Sequence, residues 1–202
     1  MYAMKRGSRR SVFAGFLLGI LISMVSGCGK GSESDLPVFI DPRDQHEYQY
    51  VTIGTQTWMA ENLAYLPKVS QPSTGSVTDT LYYVYGYDEE EGTVQGAKEA
   101  VNYSYYGVLY NWEAAMVSCP PGWHLPSDQE WKTLEKYLGM SQEDVDANTT
   151  WRKSGYVARV LKSASGWSFN GHGTNSSEFN ALPGGLRDND DEFNTLGLNA
   201  WF

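Results

Sequence analysis

Three kinds of side chain in this sequence could do chemistry: histidines, a run of acids and a concentration of tyrosines. The histidines are His46, His124 and His172. No two of them have metal-ligand spacing, and a zinc site needs three or four convergent ligands. His124 lies within a Gly-Trp-His-Leu-Pro stretch, where a structural hydrogen bond is the simpler role. Asp188, Asn189, Asp190, Asp191 and Glu192 form the acidic run. Calcium takes six to eight oxygen ligands, but an EF-hand loop requires Gly at its sixth position and Glu at its twelfth. That pattern is missing, so a solvated loop is expected. Glu61 and Asn62 are adjacent polar residues suited to capping or turn duty. No Ser/His/Asp set and no Gly-rich phosphate loop occurs in its motif context. No catalytic residue, metal or cofactor is therefore assigned.

Tyrosine is the informative excess, with 14 Tyr and 7 Trp in 202 residues. Eight of the tyrosines fall between residues 82 and 110. An exposed aromatic ring can stack on a sugar ring or a peptide, and tyrosine suits interfaces because one end is apolar and the other wet. Tyr82, Tyr83, Tyr85 and Tyr87 are the candidate ligand-binding residues. On a strand, alternate members would instead enter the core, and core packing is expected for at least half of the group.

The two cysteines, Cys28 and Cys119, carry a different chemistry. Lys5, Arg6, Arg9 and Arg10 precede an uninterrupted apolar and Gly/Ser run of thirteen residues, 12–24. That run is too short for a membrane-spanning helix, which needs about 20 residues, and suits the apolar region of a signal peptide. It leads to Val25-Ser26-Gly27-Cys28, which resembles the lipobox of bacterial lipoproteins. Residues 1–27 are accordingly read as a leader and Cys28 as the lipidated residue. Each buried acyl methylene adds about 0.8 kcal/mol, so a multiply acylated cysteine is a stable anchor. Gly29 follows in place of an aspartate, which leans toward the outer membrane or cell surface. Residues 28–37 are small, polar and acidic and read as a flexible tether.

Cleavage would remove four cations and leave 11 Lys and Arg against 24 Asp and Glu, a net charge of −13. A nucleic-acid partner is thereby disfavoured, since phosphates demand a basic surface. The membrane contact would be the lipid itself. Cys119 is left as an odd cysteine in an exported chain.

The elements that must position these residues follow from patterning. Residues 48–53 and 56–59 are rich in β-branched and aromatic types and are separated by Gly54-Thr55, which predicts a β-hairpin. Residues 81–87 read as a third strand. A helix is predicted over residues 109–118, with Leu109, Trp112 and Met116 at i, i+3 and i+7 as its apolar side. A second starts at Ser127, where Ser127 and Glu130 form a capping box, and ends at Gly139. A third, shorter helix is expected over 156–163. From residue 165 onward Gly, Asn, Ser and Asp dominate. Strands, then helices, then a long loop-rich region indicate an α+β domain over residues 38–202.

Four blocks then become recognisable. Residues 51–63 (VTIGTQTWMAENL), 106–115 (YGVLYNWEAA), 119–131 (CPPGWHLPSDQEW) and 179–187 (FNALPGGLR) resemble, in order, the Fibrobacter succinogenes major paralogous domain. The resemblance implies an exported, often lipid-anchored surface protein whose fold is similar to C-type lectins and to the formylglycine-generating enzyme. The family brings no established biochemical activity, and the first reading is a lectin-like binding or adhesion module for a glycan or protein. A structural envelope role without a discrete ligand is the second reading. An enzyme of the formylglycine-generating type is disfavoured, because the required cysteine pair is missing. The Glu-Pro-Asn, Gln-Pro-Asp and Trp-Asn-Asp calcium triplets of C-type lectins are missing too. Family members often continue to a further strand containing a cysteine. The resemblance thus implies an incomplete C-terminus, a lost partner for Cys119, and an open edge on the strand at 48–53.

Overall fold

The computed structural model describes residues 1–7, 36–147, 152–153 and 155–202. The apolar run, Cys28 and most of the tether lie outside the described residues. Strands β1 (Met4–Lys5), β2 (Val38–Ile40), β3 (Glu47–Ile53) and β4 (Gln56–Met59) begin the chain, and β5 (Tyr82–Tyr83) follows. Helices α1 (Val94–Glu99) and α2 (Val101–Tyr106) lead to β6 (Leu109–Tyr110), α3 (Trp112–Ser118) and β7 (Trp123–His124). The rest is α4 (Asp128–Tyr137), α5 (Gln142–Val145), α6 (Val157–Leu161), β8 (Leu186–Arg187) and β9 (Phe193–Asn194). The fold is α+β, as the sequence predicts.

The predicted hairpin is β3–β4, with Ile53 opposite Gln56 and Val51 opposite Trp58. Gly54 takes φ +62° at its turn, a conformation that glycine adopts without steric cost. The hairpin is the centre of a five-stranded sheet ordered β2-β3-β4-β1-β7. Strand β3 has partners on both sides, so the expected open edge is not found there. The seat beside β4 is taken by β1, whose Met4 lies opposite both Trp58 and His124. Residues assigned from sequence to the leader thus join the sheet.

Period-two alternation divides the side chains between two cores. Trp58, Val51, Ile53, Tyr2 and Met4 face α4 and the 179–181 loop, where Leu134, Phe179 and Ala181 close over them. Met59, Tyr48 and Ala3 face the other way, onto Leu63, Ala64 and Trp123. A third cluster of Leu66, Tyr82, Val84, Ala97, Val108 and Ala114 packs α1 and α3 beside the β5–β6 pair.

Helix α4 starts as the capping box requires. The Ser127 hydroxyl accepts from the Glu130 N–H, and the Glu130 carboxylate accepts from the Ser127 N–H at 2.8 Å. Ser127→Ala is expected to lower stability by about 1 kcal/mol, the usual cost of losing an N-cap oxygen. A urea denaturation midpoint that does not move would show that the cap contributes nothing.

The helix predicted over 109–118 is shorter and turned differently. Leu109 and Tyr110 pair with β5 instead, and Asn111 caps α3 by accepting from the Ala114 N–H. Its buried side is Ala114, Ala115 and Ser118, while Trp112 and Met116 are exposed. The apolar spacing therefore marked the outer face: small residues let the helix approach the core, and the large ones were left outside. Gly107 ends α2 at φ +68°, and a Cβ there would sit 2.7 Å from the Leu63 carbonyl oxygen. That close approach seats the chain at 62–64 against β6.

Candidate functional site

The four candidate tyrosines are placed differently from one another. Tyr82 and Tyr83 are buried, at 5 % and 4 % exposure. Tyr82 meets the Tyr110 ring edge-on, and the Tyr83 hydroxyl donates to the Thr74 carbonyl. Tyr85 and Tyr87 are half-buried. The Tyr85 ring lies 5.1 Å from that of Phe193, and the Tyr87 hydroxyl accepts from the Thr93 N–H just ahead of α1. Tyr82 and Tyr83 follow the core-packing expectation, Tyr82 within the cluster that contains Val84 and Ala114 and Tyr83 against Thr74 and Arg187. Tyr82 offers no ring face to a ligand, while Tyr83 lies along the wall of a cleft. Sequence reasoning placed them on a strand but missed its β6 partner.

The polar candidates turn out to be ties between segments. His124 Nε2 lies 2.9 Å from Glu130 Oε1, so the predicted hydrogen bond joins β7 to the capping box. Burial pushes the Glu130 carboxyl up, but hydrogen bonds from Ser127 and His124 outweigh it and hold the group below its ordinary value. Glu61 accepts from the Gln49 N–H at 2.7 Å and stands 3.7 Å from His46 Nε2, while Asn62 donates to the Tyr106 carbonyl. His172 is exposed. In the acidic run, Asp188 accepts from the N–H groups of Asp190 and Glu192, so it staples the β8–β9 hairpin. Arg187 pairs with Asp191 and donates to the Pro72 carbonyl. Among the described residues no three His, Cys, Asp or Glu side chains converge as a metal site would require.

Cys119 is half-buried beside the cluster of Met59 and Leu63. Burial pushes its thiol up to about 11, which keeps it protonated and poorly nucleophilic at neutral pH. Next to it, Asp41 is fully enclosed and clamped by Arg43, whose guanidinium also donates to the Ser118 carbonyl at 2.9 Å. Burial raises the Asp41 carboxyl, yet the Arg43 hydrogen bonds and charge hold it below its ordinary value.

Two of the clefts among the described residues border the residues discussed above. One, of about 450 Å³, is polar and lies between His46, Glu61, Asn62 and Tyr105. The other, of about 370 Å³, is more apolar and runs between Tyr83, Asn111, Trp112, Arg187, Trp201 and Phe202. Trp112 is 67 % exposed at its rim. Asn111 forms part of the floor, held by donation to the Asp79 carbonyl at 2.7 Å and by accepting from the Leu81 N–H. No sequence signal singled out this cleft, because its walls come from several segments far apart in the chain.

The family model described as the Fibrobacter succinogenes major domain matches residues 51–202. The chain belongs to this family. The matched stretch contains β4 through β9 and the capping box, and leaves β1 and β2 outside it. No curated protein and no solved structure matches the chain. Among the described residues no helix of this family member is long and apolar enough to cross a membrane.

Proposed function

We propose that this family member is a lipid-anchored protein of the bacterial cell envelope that presents a lectin-like module to a glycan or protein partner. The anchor is Cys28, at the end of a leader spanning residues 1–27, and the placement is the outer membrane or cell surface. The observation that carries the binding half is the cleft beneath Trp112. A large ring left 67 % exposed beside Arg187 and Asn111 combines an apolar platform with fixed polar groups. Such a pairing suits the apolar face and hydroxyl rim of a sugar. The role first assigned to Tyr82, Tyr83, Tyr85 and Tyr87 passes to Trp112, with Tyr83 contributing to the wall.

A glycan array probed with the full chain tests this. Trp112→Ala is expected to reduce binding at least tenfold while the denaturation midpoint stays within the small range usual for exposed positions. No bound glycan, or binding unaffected by the change, would favour a structural envelope role without a discrete ligand.

A further inference from the structure

Among the described residues that line the cleft beneath Trp112, Arg187 has the only charged side chain. The chain carries 24 Asp and Glu against 15 Lys and Arg, so a wall with a cation and no carboxylate runs against its composition. The Arg187 side chain is well shielded, at 12 % exposure. Its guanidinium carbon lies 5.3 Å from the centre of the Tyr83 ring. A Cβ added to Gly75 would stand 3.8 Å from Nη2 and 3.9 Å from Nη1. Tyr83 and Gly75 both line the cleft, so the guanidinium tip belongs to its wall.

A guanidinium has five N–H donors. Nε donates to the Pro72 carbonyl, and Nη2 donates to the same carbonyl and to Asp191. The two N–H groups of Nη1 take no part in these bonds. The hydroxyl and amide side chains of the wall, by contrast, are spent within the fold. Asn111 donates to the Ser76 and Asp79 carbonyls and accepts from the Leu81 and Ala114 N–H groups. The Tyr83, Tyr110 and Ser76 hydroxyls donate to the Thr74 carbonyl, the Tyr65 carbonyl and the Asp79 carboxylate. Asn111 therefore shapes the floor, and Arg187 is the group able to select a ligand by charge.

We propose that the ligand of the Trp112 cleft is an acidic glycan, whose carboxylate or sulfate is held by Arg187 Nη1 while a sugar ring rests on Trp112. The inference rests on the reading of this cleft as a glycan site, and it names the class of glycan. Hydrogen bonds between ionised partners are roughly twice as strong as neutral ones, and shielding from water strengthens them further. Asp191 answers part of the Arg187 charge, but from an exposed position and through Nη2. The net charge of −9 repels anions at long range, so selection is made by contact inside the cleft.

A glycan array holding neutral, carboxylated and sulfated oligosaccharides, probed with the full chain, tests this. The bound members should be acidic. Each is then compared with its neutralised form, the methyl ester of a uronate or the desulfated sugar. Neutralisation should weaken binding about tenfold, equivalent to about 1.4 kcal/mol. Gly75→Asp would place a carboxylate beside Nη1 and leave the Arg187 bonds to Pro72 in place. It should bind an acidic member about tenfold more weakly than Gly75→Asn, which has the same bulk and no charge. Binding of neutral members alone, or equal binding of an acidic glycan and its neutralised form, overturns the inference and leaves the glycan site standing. Equal affinity of the two Gly75 variants for an acidic glycan overturns the role of Arg187. If Gly75→Asp fails to fold, the neutralised sugars decide, since they need no variant. Silence of the whole array removes the glycan reading itself, and the inference with it.

Discussion

Cys28→Ala is expected to abolish incorporation of radioactive fatty acid and to leave an unprocessed or soluble product. The thiol is the only group at that position able to form a thioether with diacylglycerol, so the loss should be complete rather than graded. The remainder of the leader, with its cations and thirteen-residue apolar run, is untouched by the change. Entry into the export path should therefore survive while anchoring fails. Fractionation of cells expressing the variant separates these steps. Labelling that persists in the variant would remove the lipoprotein reading and the envelope assignment with it.

Phe179→Ala should be the most damaging single change in the domain, costing about 3–5 kcal/mol. Phe179 is fully buried and its ring contacts Tyr2, Trp58, Trp131 and Phe202 at centroid distances of 4.6 to 6.1 Å. No neighbouring side chain is free to collapse into the space, because Trp58 is held by the hairpin and Trp131 by α4. A typical domain has only about 5–15 kcal/mol in hand, so the variant should populate unfolded chain at growth temperature. Urea denaturation followed by tryptophan fluorescence measures the loss directly. A loss below about 1 kcal/mol would mean that the aromatic cluster is loosely packed.

What was legible in the sequence was local. The hairpin at Gly54, the capping box at Ser127 and the hydrogen-bonding role of His124 each depend on residues within a few positions of one another, and each appears where expected. What was missed depends on distant partners. Strand β6 was read as the first turn of a helix because its partners in β5 lie far back in the chain, Tyr82 opposite Tyr110 and Tyr83 opposite Leu109. The outer face of α3 was mistaken for its inner one, since apolar spacing reports a stripe and not which side of it meets the core. The short helices α1 and α2 carry no long apolar period. Helix α1 depends on the Thr93 cap, and α2 on the approach of Gly107 to Leu63. The Trp112 cleft is assembled from the ends of several elements, so no contiguous motif announces it.

The position of Tyr2 also sets an order of events during synthesis. Its hydroxyl bonds to the carbonyl of a residue 178 positions later, and its ring is walled by Phe179. Closing a loop of that length has a high entropic barrier and brings slow folding. At translation rates of about 5–20 residues per second, roughly ten to forty seconds separate the emergence of residue 2 from that of its partner. Throughout that interval the N-terminus has no completed place to fold into, and it remains accessible to whatever meets it first.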